Sequence, residues 1–118
     1  MHRYKDLKVW IQSVNLAKGA YEITSSFSEK EKFGLVNQVN RCAVSVASNI
    51  AEGAGRNTDK EFNQFLGIAT GSLFELETQL IISKNIEYIS ESDLIEIQQS
   101  ILEITKMISG LKSSLKLD

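Results

Sequence analysis

The chain has no proline, one cysteine and one histidine among its 118 residues. Proline breaks helices and is frequent in loop-rich folds, so its absence favours long helices. A lone cysteine excludes an internal disulfide and is typical of a reducing compartment, so we expect a cytoplasmic protein. His2 and Cys42 are 40 residues apart and form no ligand cluster of recognised spacing. We therefore expect no metal and no cofactor.

Long apolar runs and a strong net charge are also absent. No stretch approaches the roughly 20 apolar residues of a membrane span, and the first six residues lack the apolar segment of a signal peptide. Residues 1–60 hold nine Lys and Arg against six Asp and Glu (+3), and residues 61–118 hold four against nine (−5). This separation predicts a basic surface built from the first half. It is weaker than the balance of a dedicated nucleic-acid-binding protein.

Apolar residues recur at alternating spacings of three and four in four segments. A sustained period of this kind predicts four long helices, at about residues 5–26, 29–53, 59–86 and 91–116, each burying one stripe. In the first helix the predicted stripe is Leu7, Trp10, Val14, Ala17, Tyr21 and Thr24.

Helix starts are marked independently of this period. Ser28–Glu31, Thr58–Glu61 and Ser90–Asp93 each place a hydroxyl three residues before a carboxylate, the pattern of an N-terminal capping box. Gly53 and Gly55 are expected to end the second helix. Because short connections between long helices make neighbours antiparallel, the chain is predicted to be all-α, a single domain (1–118) forming an antiparallel up-down-up-down four-helix bundle.

Apolar residues exceed what one stripe per helix requires. Val9 and Leu16 are surplus on the first helix, and the third helix has extra apolar residues on two sides. Such a surplus predicts symmetric self-association. Gly67 and Gly71 lie one turn apart on the third helix and suit either tight packing within the bundle or a close approach by another backbone.

A polar stripe interrupts the apolar pattern of the second helix, and a comparable stripe with Ser72 lies on the third. If the stripes face each other, Arg41 can pair with Glu75, and Asn49 with Ser72 or Gln79. Such a network either fixes helix register and oligomeric state or lines a rim or channel that meets a ligand. The predicted network consists of Arg41, Ser45, Ser48, Asn49, Glu52, Glu75 and Gln79.

Several basic residues are candidates for contact with phosphate. A solvated charge without a partner is the simpler explanation for any one of them, although a ring of subunits would multiply weak contacts. The candidates are Lys5, Lys8, Arg41, Arg56 and Lys60.

No residue pattern supports catalysis. Cys42 occupies an apolar position typical of a buried structural thiol. Glu75 and Glu77 are two apart on a helix and point about 200° away from each other. No Glu-x-x-His pair of the kind that holds two metal ions in bundles is present. We therefore expect a protein that is not an enzyme.

Several segments resemble a bacterial family, the four-helix-bundle proteins encoded in intervening sequences of 23S rRNA genes. Relatives include accessory proteins of diversity-generating retroelements. For this protein the resemblance implies a ring-shaped homopentamer that binds RNA or DNA, with a reverse transcriptase or another protein as a further partner. The segments are Tyr4–Trp10, Glu31–Leu35, Arg41–Ser45, Ser48–Gly53 and Gly71–Leu80.

These observations lead to two hypotheses about function. The first is a non-enzymatic homo-oligomeric four-helix bundle that binds structured RNA or DNA through a basic rim. The alternative is an interaction scaffold that docks a partner protein through the surplus apolar faces, without nucleic-acid binding. Neither hypothesis places the protein in a membrane.

Overall fold

The computed structural model describes residues 1–117, in which four α-helices account for most of the chain and no strand occurs. Short 3-10 turns at Tyr4–Asp6 and Glu29–Glu31 precede the first and second helices. The helices are α1 (Lys8–Thr24), α2 (Leu35–Ala54), α3 (Asp59–Asn85) and α4 (Glu91–Ser114).

The four helices surround one apolar core. α1 packs against α2, α2 against α3, α3 against α4, and α4 back against α1. α3 contributes the largest fully buried set, Phe62, Leu66, Leu73, Leu76 and Leu80. Each such side chain stabilises the fold by about 1.5–3 kcal/mol relative to exposure. The prediction of an all-α four-helix protein is confirmed.

Length and composition alone would let α3 cross a membrane, and no other helix within residues 1–117 meets that test. Core helices of bundles meet it as well. In α3, 33% of the most apolar 18 residues are buried inside the bundle.

Two of the three predicted helix starts are confirmed. The Thr58 hydroxyl accepts a hydrogen bond from the Glu61 amide (3.2 Å) at the start of α3. The Ser90 hydroxyl accepts one from the Asp93 amide (3.1 Å) at the start of α4. Each bond satisfies an amide that has no partner within the helix.

The predicted start of the second helix is wrong. Ser28 makes no side-chain cap, residues 29–31 form only a 3-10 turn, and α2 begins at Leu35. Gly34 separates the turn from α2 with φ −105° and ψ −106°, which is not helical. The Glu31 carboxylate accepts a hydrogen bond from the Tyr88 hydroxyl (3.1 Å) instead of closing a capping box.

The predicted stripe of α1 is also wrong in part. Val14 and Tyr21 are 41% and 53% exposed, whereas Val9 and Leu16, taken as surplus, lie in the core. The buried face lies about 100° around the helix from the predicted one. Ser13 can be buried because its hydroxyl donates to the Val9 carbonyl (2.7 Å). The buried face consists of Val9, Ser13, Leu16, Ala20 and Thr24.

Glycines act differently from the sequence-based expectation. Gly53 lies inside α2 and is buried against α3, where an added Cβ would approach the Phe65 Cβ to 2.5 Å. α2 ends at Ala54 and Gly55 is its C-cap, so Gly55 marks the end of the helix as predicted, but with φ −84° rather than a left-handed conformation. Open space surrounds Gly71, and the nearest atom to a Cβ on Gly67 is the Lys112 Nζ at 3.9 Å. Gly67 and Gly71 therefore do not mark tight packing inside the bundle.

Candidate nucleic-acid interface and polar groove

One end of the bundle is tied together by Asp59, the first residue of α3. Its carboxylate accepts hydrogen bonds from the His2 Nε2 (3.0 Å) and from the Lys116 backbone amide (3.0 Å). The His2 amide donates to the Ala54 carbonyl (2.7 Å). The start of the chain, the end of α2 and the residues after α4 therefore meet there. The bonds from His2 and from the Lys116 amide hold the pKa of Asp59 below its ordinary value.

This end, defined as residues 1–10, 50–64 and 106–117, is basic. It holds eight Lys and Arg against four Asp and Glu, a net charge of +4. At the opposite end, residues 20–40 and 77–96 hold three against eight, a net charge of −5. Contacts of Glu31 and Phe27 with Tyr88 hold the acidic end together. The bundle therefore has a basic end and an acidic end.

Neighbouring groups divide the cations of the basic end into two kinds. Arg3 pairs with Asp6 (3.3 Å), and Arg56 pairs with Glu52 (3.6 Å) while lying 4.8 Å from the centre of the Phe65 ring. Other cations at this end are exposed and make no ion pair within residues 1–117; they include Lys5, Lys8 and Lys60. Their charges are available to an anion from solution.

Four of the five predicted phosphate contacts lie at the basic end. These are Lys5, Lys8, Arg56 and Lys60. Arg41 lies 13 residues before the end of α2, about 20 Å along the helix. Counting charge along the chain missed Lys106, Lys112 and Lys116, because they belong to the acidic second half yet reach the basic end through α4.

A polar groove of about 320 Å³ lies between α2 and α3. Ser72 is the connection between the two helices: its hydroxyl lies 2.9 Å from that of Ser45, and its carbonyl accepts from the Cys42 thiol (3.0 Å). Asn49 donates to the carbonyl (2.8 Å) and hydroxyl (3.0 Å) of Ser45. The groove is lined by Asn37, Gln38, Arg41, Cys42, Ser45, Ser72, Glu75 and Gln79.

The predicted stripes therefore face each other, but the predicted pairs are wrong. Arg41 and Glu75 line the same groove without an ion pair within 4 Å. Asn49 bonds within its own helix rather than to α3, because Ser45 is one turn closer to Ser72.

Two further members of the predicted network lie outside the groove. Ser48 is exposed, and Glu52 turns toward Arg56 at the basic end.

Cys42 is a buried thiol, as its position in the sequence predicts. Burial first, and then the negative charge of Glu75, raise the pKa of the Cys42 thiol from 9.0 to about 11. The thiolate is the reactive form of cysteine, so this environment disfavours nucleophilic chemistry.

The raised pKa of the Cys42 thiol should make the stability of the folded protein depend on pH. Between pH 9 and about 11 the unfolded thiol ionises while the folded thiol stays neutral, so the folded state loses stability as the pH rises. We expect wild type to lose about 2 kcal/mol more than Cys42→Ala between pH 8 and pH 10.5. Urea unfolding of both proteins at both pH values measures this difference, and equal losses would contradict the assignment.

Within residues 1–117, no group of three His, Cys, Asp or Glu side chains is placed to hold a metal ion. Both surfaces present hydrogen-bonding and charged groups. The basic end offers exposed ammonium groups, and the groove offers hydroxyl, amide, carboxylate and guanidinium groups.

These features define an all-α four-helix bundle with one basic end and a polar groove. A model of the 23S rRNA-intervening sequence protein family matches residues 5–110, and the chain belongs to this family. The family resemblance predicted from the sequence is confirmed.

Comparison with solved structures supports the same fold. The crystal structure of a protein with unknown function from the S23 ribosomal protein family, from Bacteroides thetaiotaomicron VPI-5482, matches with a TM-score of 0.80 and 24% identity. The match covers 90% of this chain and 99% of that one. A search of curated proteins found no match to the chain.

Proposed function

We propose that this protein is a non-enzymatic, homo-oligomeric bundle that binds structured RNA or DNA through its basic end. The separation of charge between the two ends is the observation that carries the proposal. A nucleic-acid backbone is held chiefly through ammonium and guanidinium groups that replace its condensed counterions. Lys5, Lys8 and Lys60 are exposed and without ion pairs among the described residues, so they suit that role. The acidic end would repel the same backbone and thereby orient the bundle.

Antiparallel, up-down-up-down helices are part of this proposal. The bonds of His2 with Ala54 and Asp59 support it at the basic end, and the bond of Tyr88 with Glu31 supports it at the acidic end. Short connections between the helices favour the same arrangement.

Self-association is supported by two different apolar faces. One face combines α1 and α2, where Val14, Tyr21 and Val44 are between 41% and 53% exposed. The other is a groove of about 470 Å³ between α3 and α4, lined in part by Phe74, Ile95 and Leu102. The two faces use different pairs of neighbouring helices. Contact of one face with the other gives a head-to-tail arrangement, which closes into a ring when the rotation permits.

Five subunits per ring is the number that the family resemblance implies. If the ring axis runs along the bundles, all basic ends lie on one side of the ring. Several weak phosphate contacts then act together on one nucleic acid, which raises the effective affinity without any new contact.

A titration of a fluorescent RNA hairpin with the purified protein, followed by anisotropy between 50 and 200 mM salt, tests the proposal. We expect affinity to fall steeply with salt. The triple variant Lys5→Ala/Lys8→Ala/Lys60→Ala should bind at least about tenfold more weakly. Its salt dependence should also be shallower, by a slope of about one for each phosphate that the variant no longer binds.

A matched triple variant at the acidic end controls for loss of charge alone. Lys30→Ala/Lys32→Ala/Lys84→Ala removes the same charge, and its RNA affinity should stay near that of wild type. Absence of salt-sensitive binding by wild type, or equal losses in both triple variants, would overturn the proposal.

A scaffold for another protein is the second candidate, favoured by the exposed apolar groove between α3 and α4. In that case the groove receives a partner of different sequence, the purified protein stays monomeric, and the partner is retained at fixed stoichiometry after nuclease treatment. A reverse transcriptase is a partner that the family resemblance implies for this protein, and it stays a prediction.

A further inference from the structure

The polar groove between α2 and α3 contains a buried acceptor without a partner. Gln79 is 9% exposed, and within residues 1–117 its Oε1 accepts no hydrogen bond. The Gln79 Nε2 makes a long hydrogen bond to the Glu75 carboxylate (3.5 Å), and the Oε1 lies on the other side of the amide. Gln79 is one of the residues that line the groove, and an unsatisfied buried carbonyl is costly, so the groove favours a ligand that brings an N–H donor.

Opposite charges stand at the rim of the same groove. The Arg41 guanidinium on α2 and the Glu75 carboxylate on α3 both line it, and they are not paired with each other. A ligand that fits between them needs acceptors for Arg41 and donors for Glu75. It also needs one more donor for Gln79.

We infer that this groove binds an unpaired guanine base of the nucleic acid, an inference that rests on the proposed function. Guanine carries adjacent N1–H and N2–H donors that match the two oxygens of Glu75, and its second N2–H reaches the Gln79 Oε1. Its O6 and N7 accept from Arg41, the usual pairing of guanine with arginine. Adenine, cytosine and uracil lack two adjacent donors on one edge, so they leave the Glu75 carboxylate partly unsatisfied.

The position of the groove is compatible with simultaneous contact at the basic end. Arg41 lies about 20 Å from the end of α2 along the helix, a span that several nucleotides of an unpaired segment can cover. Single-stranded segments expose the base edges that proteins read in RNA, whereas duplex RNA hides them. The basic end would hold phosphates, and the groove would select the base.

Three RNAs of equal length test the inference: a 12-nucleotide uridine strand with one central guanosine, the same strand with inosine, and the same strand with adenosine. Anisotropy titrations use the purified full-length protein at two salt concentrations. We expect the guanosine strand to bind about tenfold more tightly than the adenosine strand. The inosine strand, which lacks the N2 amino group, should fall between them.

Single variants assign the preference to the groove. Glu75→Gln and Gln79→Leu should each reduce the guanosine preference while leaving salt-sensitive binding of the adenosine strand unchanged. Glu77→Gln is the matched control, because Glu77 lies on the same helix and accepts from Gln98 of α4 (3.1 Å) outside the groove. Its preference should equal that of wild type.

Failure of this inference is distinguishable from failure of the proposed function. Equal affinity for the three strands, with salt-sensitive binding intact, overturns the guanine site alone. A preference that survives in both groove variants overturns the assignment to the groove. Absence of salt-sensitive binding to every RNA overturns the proposed function as well.

Discussion

Gly53→Ala should lower the free energy of unfolding by up to about 2 kcal/mol, because forcing extra atoms into a packed core usually costs about 1–3 kcal/mol. The new Cβ would meet the Phe65 Cβ at 2.5 Å and the Phe62 Cδ1 at 2.9 Å. A Cβ is fixed to its backbone, so Phe65 cannot rotate away, and α2 must move from α3. This cost opposes a gain of about 1 kcal/mol, because alanine favours helix more than glycine does. Urea unfolding at fixed protein concentration measures the difference.

Gly71→Ala is the matched control. Gly71 lies inside α3 with no atom within 4 Å of an added Cβ, so only the helix-propensity gain remains. We expect this variant to be as stable as wild type or more stable by up to about 1 kcal/mol. Stabilisation by both substitutions would show that α2 and α3 are farther apart at Gly53 than the structure places them.

These two glycines show where a single sequence limits prediction of the fold. Gly53, Gly67 and Gly71 all lie in helical segments, and helix period and composition treat them alike. Only the position of the neighbouring helix distinguishes them, since Gly53 faces Phe62 and Phe65 while Gly71 faces open space. Helix caps were more predictable because a cap depends on bonds within four residues. The caps at Thr58 and Ser90 are confirmed on that basis.

The buried face of α1 and the start of α2 were predicted wrongly, because both depend on contacts with residues far away in the sequence. The hydroxyl and carboxylate of Ser28 and Glu31 satisfy the pattern of a capping box, but Tyr88, 57 residues away, takes the Glu31 carboxylate. α1 has two apolar stripes with similar spacing, and nothing local decides which one enters the core. Burial of Ser13 and Ala20 shows that the structure selects the face with small residues, where neighbouring helices can approach.

The sequence predicted most of the residues of the candidate sites, but not which of these residues form hydrogen bonds with each other. The sequence identifies two facing polar stripes, and the structure brings Ser45 together with Ser72 rather than Asn49 with Ser72. A difference of one helical turn in the relative position of α2 and α3 decides this, and residue spacing within one helix carries no such information. The excess of positive charge in the first half of the sequence also predicted the basic surface. It did not reveal the lysines that α4 contributes to this surface, since chain order does not determine which helix ends meet.

Val14→Glu and Leu102→Glu should each convert the assembled protein into monomers. Each substitution places a carboxylate in one of the two apolar faces, where burial without a partner costs several kcal/mol per subunit contact. Light scattering after size exclusion should give 13.2 kDa for either variant, against five times that mass for the proposed ring. Asn15→Glu and Ser100→Glu are the matched controls. They add the same charge to α1 and α4 at exposed positions on the α1–α4 side and should leave assembly unchanged.

Mixing the two variants separates a head-to-tail ring from a symmetric dimer. Val14→Glu retains an intact groove between α3 and α4, and Leu102→Glu retains an intact face on α1 and α2. Together they can form one native contact but cannot continue it, so an equimolar mixture should yield a dimer of twice 13.2 kDa. A self-complementary contact places the same patch on both subunits, and mixing could not restore it. Assembly of either variant alone would exclude these faces, and a monomeric wild type would favour the scaffold hypothesis.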